Sequence, residues 1–213
     1  MGCNNTLCVP TSSSKLIKPD ILIEDISSQH FKIIKPIGKG SFGKVYLIKS
    51  KETDKEYAMK TIKIKKETDL KNDIKEVNIL KGIDHPNIIS FKGAFISGKE
   101  ECSIVTEYAK KGDLGQILEK NSKENKYFEE KELLNWLIQC CLALSYLYDL
   151  EILHRDIKPS NIFLMEDDTI KLGDFGISKD IHIFHRTKTI AGTPLYTSPE
   201  IYLDKRYDLK IDV

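Results

Sequence analysis

The sequence predicts an α+β fold, a small strand-rich half followed by a mainly helical half, with the cleft between the halves as the natural ligand site. Three observations predict it. Apolar residues alternate in FKIIKPIG, KVYLIKS and KEYAMKTIKI between residues 31 and 64, as strands require. Leu133, Leu134, Leu137, Ile138, Cys141, Leu144, Leu147 and Tyr148 recur instead at helical spacing. Between these regions Leu70, Ile74, Val77 and Leu80 mark one shorter helix, which Gly82 stops.

Taken in order, residues 1–30 are rich in Ser, Thr and Asn, are broken by Pro10 and Pro19, and show no sustained period, so they read as a tail. Three strands follow as an antiparallel meander, with the polar stretch from Lys51 to Lys55 turning the chain between the second and third. After the short helix, two more strands fit Ile88–Ile96 and Glu101–Tyr108. Gly112-Asp113 breaks the pattern, residues 121–126 read as a polar link, and the apolar run after them predicts a long, deeply packed helix. A short hairpin then pairs Ile162–Leu164 with Ile170–Leu172.

Bulk composition excludes several classes. The chain has 213 residues, 40% hydrophobic and 31% charged, enough for one sizeable core. Its 33 basic and 32 acidic side chains leave a formal charge of +1, so nothing in the net charge recruits nucleic acid or an anionic membrane. The five cysteines (Cys3, Cys8, Cys102, Cys140 and Cys141) lack paired spacing, which suits free thiols in a reducing compartment. No apolar run approaches the length of a membrane span, and the first thirty residues carry no secretory stretch; the body is expected in the cytoplasm.

Ile37-Gly38-Lys39-Gly40-Ser41-Phe42-Gly43-Lys44-Val45 holds G-x-G-x-x-G-x-V between two strand patterns. Glycines there let backbone amides close over phosphate oxygens without a side-chain clash. The same residues begin a P-loop pattern, but Val45 stands where a magnesium-binding hydroxyl belongs, and a strand follows instead of a helix. A dinucleotide site would need the glycines to open a helix, which they do not. A ligand-free glycine-rich hairpin stays open on this motif alone. Lys60, ending Tyr57-Ala58-Met59-Lys60, can reach the cleft toward the α- and β-phosphates, and Glu76 on the following helix is the acid placed to hold its amine.

His154-Arg155-Asp156-Ile157-Lys158-Pro159-Ser160-Asn161 follows the long helix, Asp174-Phe175-Gly176 follows the hairpin, and Ser198-Pro199-Glu200 lies further on. In order and spacing these resemble the protein-kinase set H-R-D-x-x-x-x-N, D-F-G and A-P-E, with Ser198 replacing the alanine. The resemblance implies a bilobal protein-kinase fold, with an N-lobe over residues 31–107 and a partial C-lobe over 108–213. It implies ATP-dependent phosphorylation of Ser or Thr hydroxyls on protein substrates, with Mg2+ as cofactor. By similarity, Asp156 accepts or orients the substrate hydroxyl's proton, Lys158 steadies the transferring phosphate, and Asn161 and Asp174 ligate magnesium. Val45 and Ala58 would cover the adenine, Phe163 would lie beneath it, and Glu107 and Ala109 would offer it backbone hydrogen bonds, with Thr106 guarding a deeper pocket. Thr189 matches the activation phosphosite, whose phosphate would pair with Arg155 and Lys179, and Thr193 would contact Asp156 and Lys158. Pro194 and Leu195 would shape the substrate pocket. ILHRDIKPSNIF, IKLGDFGISK, GTPLYTSPEI and Asp84-His85-Pro86-Asn87-Ile88-Ile89 are similar to the NIMA-related kinases.

Two further expectations concern the ends. Met1-Gly2-Cys3-Asn4-Asn5-Thr6 fits the N-myristoylation pattern at Gly2. One acyl chain holds with an association constant of only about 10⁴ M⁻¹, so Cys3, or Cys8, as a palmitoylation site would supply the second anchor for peripheral membrane attachment. At the other end, Asp212 matches the aspartate with which the family opens its central C-lobe helix, and the sequence stops at Val213. A truncated chain with exposed apolar surface and weak activity or stability is therefore expected, and the alternative to an active kinase is an inactive binding or regulatory fragment.

Overall fold

The period-two segments of the first half assemble into one five-stranded antiparallel sheet. The computed structural model describes residues 27–40, 43–64, 74, 77–97, 101–175, 179–180, 193–203 and 209–212. Strands β1 (Phe31–Gly40), β2 (Gly43–Ser50) and β3 (Glu56–Lys63) form the meander, and β4 (Phe91–Ser97) and β5 (Glu101–Glu107) complete the order β1-β2-β3-β5-β4. The turn between β2 and β3 is built from polar chemistry: Ser50 Oγ accepts from the amides of Glu52 and Thr53, and Asp54 takes φ 62°, which a short polar side chain tolerates.

Register fixes which side chains share a face. Val45 lies opposite Lys60, and Ala58 opposite Thr106, so these four point to one side of the sheet. On that side Ile62, Cys102 and Ile104 pack with Val77 and Leu80 of helix α1, whose described residues are 74 and 77–81. The other side carries a separate cluster of Ile48, Met59 and Val105.

The second half is mainly helical, and the chain departs from expectation in three places. The strand expected from Ile88 begins at Phe91. Residues 87–89 bond instead to the second half: Ile89 N donates to Leu172 O at 2.8 Å and Leu172 N to Asn87 O at 2.9 Å. Burial of Ile88 and Ile89 against that half accounts for their apolar character. The polar link expected over 121–126 is partly helix, since α2 spans Leu114–Lys123. Asp113 supplies the missed start signal, its Oδ1 accepting from Gln116 N at 2.9 Å. The helix is polar because little of it is buried beyond Leu114.

Helix α3 (Glu130–Asp149) forms where expected but is not deeply packed. It buries Trp136, Ala143 and Leu147, whereas Leu133, Leu134, Leu137, Ile138, Leu142 and Tyr148 are exposed, Leu137 by 59%. A helix that is apolar on more than one face needs neighbours on more than one side. Among the described residues, α3 packs along β6 (Ile152–Leu153) and β8 (Ile170–Leu172), and its buried Ala143 and Leu147 join the cluster of Val77, Leu80 and Ile88, all on one face. The short hairpin of β7 (Ile162–Leu164) and β8 matches its expected bounds. Strand β9 (Lys179–Asp180) pairs with β6, and a short helix α4 (Pro199–Tyr202) and a 3-10 turn (Leu209–Asp212) follow.

Candidate active site

The glycine-rich motif occupies the hairpin end of β1 and β2, where Gly38 faces Val45, Lys39 faces Lys44 and Gly40 faces Gly43. Gly43 is required by close approach, since a Cβ there would overlap the Thr61 carbonyl oxygen of β3. Ile37 to Gly40, Gly43, Lys44 and Val45 thus lie along the edge of the cleft face, while Ser41 and Phe42 lie outside the described residues.

Lys60 extends from the centre of β3, and its Nζ meets Asp174 Oδ1 at 3.0 Å across 114 residues of sequence. The expected partner Glu76 lies outside the described residues. Asp174 adopts φ 60°, a left-handed backbone that turns its carboxylate back under the sheet. The neighbouring Gly173 leaves room for this turn, because a Cβ there would press to 2.9 Å against both Ile89 and the Phe163 ring.

The His154–Asn161 segment is held from three sides. Asp212 accepts from His154 N at 2.6 Å and from Arg155 N at 2.8 Å, so its carboxylate clamps the backbone just before Asp156. The His154 ring bonds Gly173 O at 2.9 Å and packs edge-on against Phe175 at 4.8 Å. Phe175 and Leu80 belong to one buried cluster, against which Phe91 packs. The stack of Leu80, Phe91, His154 and Phe175 therefore joins α1, the sheet, the His154–Asn161 loop and the segment after β8. Burial drives the imidazole pKa below its usual 6.5, and the opposing pull of Asp212 does not restore it.

Asp156 sits where these constraints converge. Its Oδ2 accepts from Lys158 Nζ at 2.6 Å and Asn161 Nδ2 at 2.9 Å. Its Oδ1 accepts from Thr193 Oγ1 at 2.8 Å and Thr193 N at 3.1 Å. Burial alone would raise its pKa, but the bonds from Lys158, Thr193 and Asn161 outweigh it and hold the carboxyl below its usual 3.8. Asp156 is thus an ionised, oriented acceptor at neutral pH. Thr193 also accepts from Lys158 Nζ at 2.7 Å, so the two contacts expected of Thr193 are both present.

The metal-binding expectation passes a chemical test. Asn161 Nδ2 is taken by Asp156 O at 2.8 Å and by Asp156 Oδ2, which leaves the amide oxygen for a cation. Asp174 Oδ1 faces Lys60, and its other oxygen is the second hard donor. Two oxygens suit magnesium, which keeps waters and takes phosphate oxygens for its remaining positions. Among the described residues no group of three or more His, Cys, Asp or Glu could hold a metal unaided.

Around the adenine position, Val45 and Ala58 share the cleft face with Lys60, and Phe163 lies on β7 below. Glu107 N donates to Ser90 O at 3.0 Å, so of its two backbone groups only the carbonyl remains for the expected contact with a base. Ala109 O accepts from Gly112 N at 3.1 Å. Gly2, Cys3 and Thr189 lie outside the described residues.

Sequence reasoning missed two positioning groups. Gln139 Oε1 accepts from Asn87 Nδ2 at 2.8 Å and Ile170 N at 2.9 Å, tying α3 to β8 and the 87–90 loop. Lys171 pairs with Glu107 at 2.7 Å. The available signals were a glutamine inside an apolar helical stripe and a lysine inside a buried hairpin.

Comparison with known proteins agrees with this geometry. Residues 31–213 match the protein kinase domain. The chain is 40% identical over 183 residues to the serine/threonine-protein kinase Nek1 of Mus musculus, covering 84% of this chain and 15% of that protein. It is 42% identical over 194 residues to the probable serine/threonine-protein kinase nek3 of Dictyostelium discoideum (86% and 17%). It is 35% identical over 187 residues to the serine/threonine-protein kinase Nek3 of Oryza sativa subsp. japonica (87% and 32%). The chain spans between 15% and 35% of the length of these and similar curated relatives. With the sheet, the Lys60–Asp174 pair and the Asp156 centre in place, this chain belongs to the protein kinase domain family, with the NIMA-related (Nek) serine/threonine kinases as its relatives.

Proposed function

We propose that the protein transfers the γ-phosphate of ATP to serine and threonine hydroxyls of protein substrates. The observation that carries this reading is the Asp156 carboxylate, ionised and fixed by Lys158, Asn161 and Thr193 beside the Lys60–Asp174 pair. Phosphoryl transfer asks for positioning and charge neutralisation more than for covalent chemistry. Asp156 orients the incoming hydroxyl and takes its proton, displacing the Thr193 hydroxyl from Oδ1. Lys158 stays on the other carboxylate oxygen, within reach of the moving phosphate. Lys60 turns from Asp174 to the α- and β-phosphates, freeing that carboxylate. Magnesium, held through Asn161 and Asp174, would supply charge neutralisation on the phosphate oxygens.

Phosphorylation at Thr189 is the regulatory step this reading adds, with Arg155 as the receiving cation. Membrane attachment through myristoyl-Gly2 and palmitoyl-Cys3 is the localisation it adds, supported by the N-terminal pattern. Unchanged membrane fractionation of a Gly2→Ala protein would refute the acylation.

The activity test is ATP-dependent phosphate transfer to protein Ser or Thr, comparing the chain with its Asp156→Asn variant. Transfer that disappears in the variant supports the kinase reading, and equal transfer by both overturns the role of Asp156. A second reading, a kinase-like binding or regulatory module, is favoured by the exposed apolar face of α3. Adenine-nucleotide binding without transfer in the unaltered chain would favour it.

A further inference from the structure

Between the end of β5, the hinge at which the chain leaves the sheet for the second half, and the β7–β8 hairpin lies an ion pair that the chemistry above does not use. Glu107 Oε1 accepts from Lys171 Nζ at 2.7 Å and from Ser90 N at 2.6 Å, while Glu107 N donates to Ser90 O at 3.0 Å. Both side chains are more than four-fifths withdrawn from solvent, 16% and 19% exposed, so this is not a loose surface contact. Lys171 lies directly opposite Phe163 in the hairpin, which places its stem alongside the ring that forms the adenine floor. Glu107 is the residue whose backbone the nucleotide-binding reading sets against the adenine edge. One carboxylate oxygen therefore joins the hinge wall, the loop at Ser90 and the floor of the pocket, which come from three distant parts of the sequence.

We propose that Glu107 and Lys171 are positioning residues that set the spacing between the hinge and the floor of the adenine pocket, and so determine affinity for the adenine base. The inference rests on the nucleotide-binding reading of this cleft. A base sandwiched by apolar surfaces while bonding a backbone edge tolerates little error in either direction. A charge-assisted bond at both ends holds that spacing more rigidly than packing of the small β7–β8 hairpin could alone.

The test is magnesium-ADP binding to the full chain by calorimetry, with circular dichroism to establish that each variant is folded at the assay temperature. ADP binding by the unaltered chain is the separate check on the underlying reading, whose failure would show as no binding at all. Given that binding, Lys171→Met and Glu107→Gln each weaken it by about three- to tenfold, and the double variant is no weaker than the worse single one, as coupled partners require. Lys171→Arg, which keeps the cation, retains near-normal affinity. Folded Lys171→Met protein with unchanged ADP affinity would overturn the proposal. So would additive losses in the double variant, or a Lys171→Arg protein as weak as Lys171→Met.

Discussion

Four hydrogen bonds from three residues converge on the Asp156 carboxylate, and the donors come from two parts of the chain. Lys158 and Asn161 are local, and the pattern H-R-D-x-K-x-x-N places them in the sequence. Thr193 comes from 37 residues away and is positioned only by the fold. Replacing Asp156 by Asn should lower phosphate transfer by about 10²- to 10⁴-fold, the range for losing a proton acceptor, while leaving ADP affinity within about twofold. Single-turnover transfer and calorimetry separate the two effects. Thr193→Val removes one donor to Oδ1 and should destabilise the chain by about 1 kcal/mol in urea unfolding. His154 gives a pH prediction. Its folded pKa lies below the usual 6.5, so the unfolded chain takes up the proton first and stability falls as pH drops below 6.5 toward the folded value. His85, also lowered by burial, acts with the same sign, whereas Asp212, raised above 3.8 by burial, acts with the opposite one, its contribution growing as pH falls through its folded value toward 3.8. A His154→Phe variant should be less stable overall, yet lose less of its remaining stability between pH 7 and 6 than the unaltered chain. Parallel pH profiles from urea melts would contradict this.

At the scale of elements, burial decides what helices α2 and α3 contribute. The N-cap of α2 is carried by Asp113, and Asp113→Ala should cost about 1 kcal/mol, measured by the urea midpoint at constant slope. On α3, Leu147 is fully buried beside Ala143, whereas Ile138 is exposed by 58%. Leu147→Ala should therefore cost about 2–5 kcal/mol. Ile138→Ser, equally drastic on paper, should change stability by less than about 0.5 kcal/mol. Similar losses from the two substitutions would mean that the outer face of α3 is covered. The hydrophobic pattern read both residues alike, because periodicity shows that a face is apolar without showing whether anything packs on it. The same limit explains the strand misplaced at Ile88. Those residues are buried by β8 rather than by a sheet neighbour, and a burial partner from elsewhere in the chain leaves no local mark.

At the scale of the whole molecule, two halves are joined through residues that no local pattern connects: Lys60 with Asp174, Glu107 with Lys171, and Asn87 with Gln139. The exposed apolar side chains of α3, with Leu195 and Leu203 elsewhere, form a surface prone to association. Sedimentation of the chain should show concentration-dependent self-association, and Leu137→Lys with Ile138→Lys should reduce it; a monomer at all concentrations would contradict this. The three-strand meander, the hairpin of Ile162–Leu164 with Ile170–Leu172 and the residue types of the active centre were legible in the sequence. Alternation, glycine placement and motif spacing are properties of neighbouring residues, and local sterics and hydrogen bonding enforce them. The glycine-rich loop by itself allowed a ligand-free hairpin. It became part of a kinase site only together with Lys60, Asp156, Asn161 and Asp174. The family resemblance implies the contact of Thr193 with Asp156; what only the tertiary structure decided was the other meetings across the cleft: Lys60 on Asp174, Asp212 beneath the His154–Asn161 loop and Lys171 on Glu107. Those contacts depend on how a sheet face, a helix and a hairpin pack together, and packing is set by the sum of many weak apolar contacts that no single segment of sequence contains.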